Sequence, residues 1–347
     1  MKTDWRLPEN RREMFLRQYS FDLKHRTHTG LLYLAVPEIA ETFDLDEEGR
    51  AWLTWLDSNT QNPVTTLLLL EAAPTAEEWP RAVEFWEENY RELAWDRDRR
   101  YQKSSFGEAT REWYDRVLIS PASDWLAAAE NGWRSLWRYA RSQPYMGRLS
   151  AWTMAETARV LLGADRIPEP DTLLLRDPSG SRSHRNGLAT VYGLDAAKWK
   201  WADYSRELLD ELEAFGADLL SEARERNPGN PDASYYTMES SLCAYKSWHR
   251  APGRRYPNVY TDLHYLELKA AEARFGDRFQ IFWDMRRREL PEYMRLEDSP
   301  YDPGFSPAKR VLHAETGVPP MLHREYPDMW NPLNAAIEAG TCPRRES

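Results

Sequence analysis

The sequence predicts an all-α, or nearly all-α, protein: a compact multi-helix globular domain spanning residues 1–347. Three observations carry this. Apolar residues recur at steps of three and four along most of the chain, glycine and proline punctuate those segments, and no run alternates polar with apolar in the manner of a strand. Within that domain we expect an N-terminal helical lobe over 10–163 and a motif loop with a second helical lobe over 164–290. An irregular Pro-rich wrap is expected over 291–347.

The elements follow in order. Asn10 to Arg26 mixes Met14, Phe15, Tyr19, Phe21 and Leu23 with charges at helical spacing. Glu48 to Leu56 sets Trp52, Trp55 and Leu56 on one side, and Asp57-Ser58-Asn59-Thr60-Gln61-Asn62-Pro63 reads as a polar corner before a buried helix from Val64 to Leu70. Thr75 with Glu78 forms a capping box that opens a helix through Trp79, Val83, Trp86, Tyr90 and Leu93. A short helix is expected at Trp113–Val117 and one stripe from Ser123 to Arg141. Ser150 is placed to cap a helix that Gly163 ends. Asp171 to Leu188 reads as a loop. Beyond it lie helices at Trp201–Arg226, Glu239–Trp248, Asn258–Phe275 and Phe279–Arg288, and a last short helix is expected at Asn334–Ala339.

Composition narrows the class. Hydrophobic residues are 41% and charged residues 29%, a globular balance, while 16 Trp exceed ordinary packing demand and supply rings for a core or for stacking on bases. A net charge of -10 argues against an overall basic coat but leaves room for a local phosphate-facing patch. Cys243 and Cys342 are too few for a disulfide framework and lack metal-ligand spacing, which points to a reducing, cytoplasmic setting. The longest apolar run, Leu67 to Leu70, is far short of a bilayer span. No Gly-Lys-Ser/Thr phosphate loop, dinucleotide fingerprint, His-Glu-x-x-His or Cys-x-x-Cys is present, so the common NTPases, Rossmann dehydrogenases and zinc hydrolases are excluded.

Three polar constellations remain. In the Asp171–Leu188 loop, Arg182, Ser183, His184, Arg185 and Asn186 offer cations, a hydroxyl and an amide beside glycines, a set suited to an anion. The Asp57–Asn62 corner offers Asn59, Gln61 and Asn62 as readers of a base edge, with a turn capping two helices as the alternative. The third interleaves cations with rings: Arg148 precedes it in the chain, and Tyr245, Lys246, Trp248, Arg254, Arg255 and Tyr256 suit a nucleic-acid strand, although a solvated surface writes the same letters. Asp57 and Asp171 are candidate proton acceptors and His184 a candidate donor to a leaving oxyanion.

With Thr60-Gln61-Asn62-Pro63, Gly147-Arg148-Leu149-Ser150-Ala151-Trp152, Asp171-Thr172-Leu173, Ser181-Arg182-Ser183-His184-Arg185-Asn186-Gly187-Leu188, Leu242-Cys243-Ala244-Tyr245-Lys246 and Arg255-Tyr256-Pro257-Asn258-Val259-Tyr260 in view, the chain resembles the amino acid:DNA transferases of bacterial viruses, also called α-glutamyl/putrescinyl-thymine pyrophosphorylases. The run from Ser181 to Gly187 is the most specific part. The resemblance implies a late step of thymine hypermodification in the cytoplasm of an infected host. A hydroxymethyluracil DNA kinase pyrophosphorylates 5-hydroxymethyluracil in double-stranded phage DNA, and the transferase replaces the pyrophosphate with the amine of an amino acid or polyamine. It implies that Arg182, His184, Arg185 and Lys246 meet the pyrophosphate, that Asp57 or Asp171 takes the amine proton, and that the base is flipped from the duplex. Arg182, His184 and Arg185 are expected to converge with Lys246 and with the Asp57–Asn62 corner on one pocket. Magnesium accompanying the pyrophosphate is the one cofactor to consider. The expected fold neighbours are the helical DNA glycosylases. A glycosylase acting on a modified base, or a non-catalytic DNA-binding partner of the kinase, are the alternative functions.

Overall fold

The structure, a computed structural model, describes residues 7–93, 105–117, 119–179, 182–249, 260–290 and 295–298. Among the described residues there are α-helices and short 3-10 turns and no strand. In chain order the helices are α1 (Pro8–His25), α2 (Leu32–Thr42), α3 (Glu47–Thr60), α4 (Pro63–Ala72), α5 (Trp79–Asn89), α6 (Phe106–Asp115), α7 (Pro121–Glu130), α8 (Trp133–Ser142), α9 (Arg148–Leu162), α10 (Ser183–Val191), α11 (Arg206–Arg226), α12 (Tyr235–Trp248), α13 (Tyr260–Phe275) and α14 (Gln280–Glu289). The Pro-rich wrap expected over 291–347 and the helix expected at Asn334–Ala339 lie outside the described residues, apart from 295–298.

The chain divides into two compact units. The first takes residues 1–29, 172–265 and 286–347; the second takes 30–171 and 266–285, so the boundaries fall inside α13 and α14.

In the second unit α3 packs along α9 and against α4 and α7, and α2 and α8 also lie on α9. The tryptophan excess is largely spent here. Trp52 and Trp55 stack on Trp113 with ring centroids 5.5 and 4.9 Å away, and Trp152 meets Trp133 edge-on at 5.7 Å. Each such ring removes roughly 200 Å² from water, about 5 kcal/mol before entropy is counted. Several boundaries differ from the sequence expectation. The single stripe from Ser123 to Arg141 is two helices, α7 and α8, because Gly132 takes a left-handed φ of 76° at the cap of α8. The box at Thr75 opens a 3-10 turn rather than the long helix, and α5 starts at Trp79, where Pro80 occupies the first turn. Ser150 lies inside α9, whose N-cap is Gly147.

In the first unit α12 packs on α10 and α1, and α1 also meets α10 and α11. Phe15, Tyr19, Leu188, Leu212, Leu219, Tyr236, Leu242 and Tyr245 form its core. Trp201–Asp203 is a separate 3-10 turn, and α11 begins after Ser205, whose hydroxyl accepts from the Leu208 N–H at 3.1 Å. The largest departure concerns the expected loop. Its second half is α10, so Ser183, His184, Arg185 and Asn186 are the first turn of a helix rather than parts of an open loop.

Candidate functional site

The segment before α10 is strapped down by charge-assisted hydrogen bonds. Glu213 on α11 accepts from the Thr172 hydroxyl and the Leu175 N–H, both at 2.7 Å. Arg185 donates through Nε to the Leu175 carbonyl and through a terminal nitrogen to the Asp177 carbonyl, again at 2.7 Å, and its guanidinium covers the Trp201 ring at 4.4 Å. Asp177 in turn accepts from the Ser179 N–H at 2.8 Å and from its hydroxyl, closing an Asx turn. Asn186 spends its amide similarly, donating to the Trp199 carbonyl at 3.0 Å and accepting from the Tyr204 hydroxyl at 2.9 Å. Arg185 and Asn186 therefore hold the entry to α10. The open anion grip expected of them is corrected by their burial and by these partners.

The first turn of α10 then faces α12. Gly187 permits the approach, since a Cβ there would run into the Leu242 backbone carbonyl. Arg182 is exposed at the N-cap position, Ser183 is half-buried, and no side-chain cap closes the turn. Lys246, buried on α12, places its ammonium 2.5 Å from the Ser183 hydroxyl. One residue on, fully buried His184 sets Nδ1 3.2 Å from Glu239 Oε1, and the Cys243 thiol lies 3.7 Å from Glu239 Oε2. A cation, a hydroxyl and a helix N-terminus together suit an oxyanion. Glu239 was not singled out from the sequence. Its signal was the spacing of Glu239, Cys243 and Lys246, which places all three on one face of a helix.

In the second unit the Asp57–Asn62 corner is mostly helix. Helix α3 continues through Thr60, and its polar side chains bond back to the preceding turn: Ser58 donates to the Thr54 carbonyl at 2.5 Å and Asn59 to the Trp55 carbonyl at 2.7 Å. Gln61 ends the helix with a left-handed φ of 45°, and Asn62 caps α4 by accepting from the Thr65 N–H at 3.1 Å. Asp57 is buried, and its carboxylate accepts from the Thr157 hydroxyl at 3.0 Å and the Thr66 hydroxyl at 3.3 Å. Asp171 is exposed at the far end of this unit's main segment, 3.9 Å from Arg134.

The sequence matches the amino acid:DNA transferase family over residues 41–254, more than half the chain, a span that includes the corner, α10 and all of α12. The chain belongs to the amino acid:DNA transferase family. A protein of Salmonella phage ViI named as a serinyltransferase is 24% identical, over 96% of this chain and 87% of that one. No solved structure matches.

Several side chains assigned to DNA in this transferase sit in its interior. Tyr245 is fully buried, packs edge-on against Phe15 at 5.6 Å and donates its hydroxyl to the Arg11 carbonyl at 3.1 Å, so the expected base stacking is corrected to a core role. Arg148 is buried with its guanidinium 5.4 Å from the Trp152 ring, which corrects its expected exposure to a phosphate strand. Asn59 and Asn62 are buried and engaged with backbone, so their expected base reading is corrected to helix bonding and capping; Gln61 keeps partial exposure. Trp248 closes the last turn of α12. Arg254, Arg255 and Tyr256 lie outside the described residues. Among the described residues no helix is long and apolar enough to cross a membrane.

Proposed function

We propose that this amino acid:DNA transferase displaces pyrophosphate from pyrophosphorylated 5-hydroxymethyluracil in double-stranded phage DNA, using the amine of an amino acid or polyamine. The amine nitrogen bonds to the 5-methylene carbon as the carbon–oxygen bond to pyrophosphate breaks, and the amine proton passes to a carboxylate. The observation that supports this reading is the pairing of Lys246 with Ser183 at 2.5 Å on the first turn of α10, which gathers positive charge and donors where an anionic leaving group needs them. Arg182 is the exposed cation beside them. Arg185 acts as a positioning residue. For the proton, Asp171 suits better than Asp57: its side chain is 55% exposed, whereas Asp57 is enclosed and held by two threonines. Trp201, 41% exposed, offers an aromatic surface for a flipped base.

The test treats DNA containing 5-hydroxymethyluracil with its kinase, ATP and this protein in a mixture of amines, followed by nucleoside mass spectrometry. Serine is the first amine to include, since the Salmonella phage relative is named for it. The expected product carries the mass of the amine in place of the pyrophosphate, with no abasic sites. Lys246→Met lowers conversion on the order of a hundredfold, as removing one donor to a developing anion does. Undiminished conversion by Lys246→Met removes the anion site from the mechanism, and abasic product in place of amine adduct points to a glycosylase.

A further inference from the structure

Beside the anion site, α10 and α12 bring together three side chains of a different chemistry. His184, Glu239 and Cys243 each present a ligand atom, and these atoms lie within 4.8 Å of one another. Glu239 and Cys243 stand one turn apart on α12, so both point the same way, and the close approach at Gly187 carries His184 to meet them. We propose that these three residues bind a divalent transition-metal ion, with zinc as the fitting species.

The separations support a shared ion. Zinc binds imidazole nitrogen and carboxylate oxygen at about 2.0–2.2 Å and thiolate at about 2.3 Å, so tetrahedral ligand atoms lie roughly 3.3–3.7 Å apart. His184 Nδ1 is 3.2 Å from Glu239 Oε1 and Cys243 Sγ is 3.7 Å from Glu239 Oε2, two contacts on different oxygens of the carboxylate, and side-chain rotation on binding draws the set together from a spread of up to 4.8 Å. Burial makes the arrangement consequential, because a carboxylate kept from water needs positive charge nearby. Glu239 and His184 are buried and Cys243 is partly exposed, which leaves an entry path and a side open to a fourth ligand, water or an anionic oxygen. Binding converts the Cys243 thiol to a thiolate and releases its proton to solvent. The thiolate and the carboxylate then neutralise the doubly charged ion. The donor set selects against magnesium, which takes oxygen ligands in an octahedron, and favours zinc. The site thus differs from the magnesium expected to travel with pyrophosphate, and its existence does not depend on the transferase chemistry.

The experiment uses the full chain. After equilibration with excess zinc and removal of free metal, elemental analysis is expected to find one zinc per chain in the wild type and in Cys342→Ser, and none in Cys243→Ser. Replacement by cobalt(II) is expected to give a thiolate-to-cobalt charge-transfer band in the first two proteins and not in the third. Circular dichroism of each variant checks its fold. Should Cys243→Ser fail to fold, the wild-type protein alone decides, through its metal content and the charge-transfer band. Substoichiometric zinc with no such band in the wild type overturns the proposal, as does a cobalt spectrum that Cys243→Ser leaves unchanged.

Discussion

Asp57 shows how a single buried carboxylate organises its neighbours. Its oxygens accept from Thr157 on α9 and Thr66 on α4, so one side chain joins three helices of the second unit. Replacing it by alanine leaves both hydroxyls without their acceptor, and Asp57→Ala is expected to cost about 3 kcal/mol of stability, read from urea unfolding. A second carboxylate gives a proton-linked prediction. Burial pushes Asp22 up from an ordinary 3.8 to about 6, against hydrogen bonds from Ser241, Thr27 and Gln18 that lower it. The residue keeps some surface, but its carboxyl is enclosed by Ser241 and Thr27. Burial, helped by the charge of Arg26, pushes His28 down from 6.5 to about 3. The folded state holds the Asp22 proton more tightly than the unfolded chain. Its contribution to stability is therefore complete below 3.8 and disappears as pH rises through about 6. His28 acts in the opposite sense: its contribution is present above 6.5 and is lost as pH falls towards about 3. The two slopes, each at most about 1.4 kcal/mol per pH unit, oppose one another in the shared interval. Asp22→Asn removes the falling term, so the variant's stability is expected to rise with pH from 3.8 to about 6 relative to the wild type, measured by urea unfolding across that range.

At the scale of elements, the pairing of α10 with α12 is the feature on which the site depends. Helix packing distances are set by the side chains at the crossing, and here the crossing has none on one side, because Gly187 rests against the Leu242 backbone. Gly187→Ala is expected to force the helices apart at a cost of about 3 kcal/mol or more, since the clash is with backbone that cannot rotate away. Denaturant unfolding measures it. The variant should also lose the Ser183–Lys246 bond and with it transferase activity. Much of this pair was legible beforehand. The run from Ser183 to Gly187 and the basic end of α12 stood out by composition, and α1, α9, α12 and α14 lie within a few residues of the segments their apolar spacing indicated. The helical state of Ser183–Val191 was not, because Ser, Asn and Gly are the residues of turns in isolation. Burial against α12 overrides that preference. Helix α2, with Pro37 inside it and apolar residues all round, gave no amphipathic stripe to read.

For the whole molecule the central tension is charge. A chain of net charge -10 has to approach a polyanion, so binding must rest on a confined basic surface. With Arg148 in the interior, the sequence offers Arg254 and Arg255, beside the exposed Arg182, as cations for such a surface. Neutralising each is expected to reduce the slope of log affinity against log salt by about 0.9 and to weaken binding to all sequences alike, measured by fluorescence anisotropy over a salt series. A tryptophan-rich composition pointed to core first and to stacking surface second. The structure resolves that choice toward core for Trp52, Trp55, Trp86, Trp113, Trp125, Trp133 and Trp152, and leaves Trp201 exposed.

By itself the sequence determined the all-α class, the positions of most helices and the residue types gathered at the candidate site. These follow from local periodicity and from turn chemistry, which neighbouring residues decide. Only the tertiary structure decided which polar side chains face solvent and which are consumed inside. Asn59, Asn62, Arg148, Arg185 and Tyr245 all carry groups that suit a ligand, and each is occupied by the protein's own backbone or rings. The same packing joined Glu239, Cys243 and His184, 59 positions apart in the chain at the extremes, because a single glycine let two helices touch.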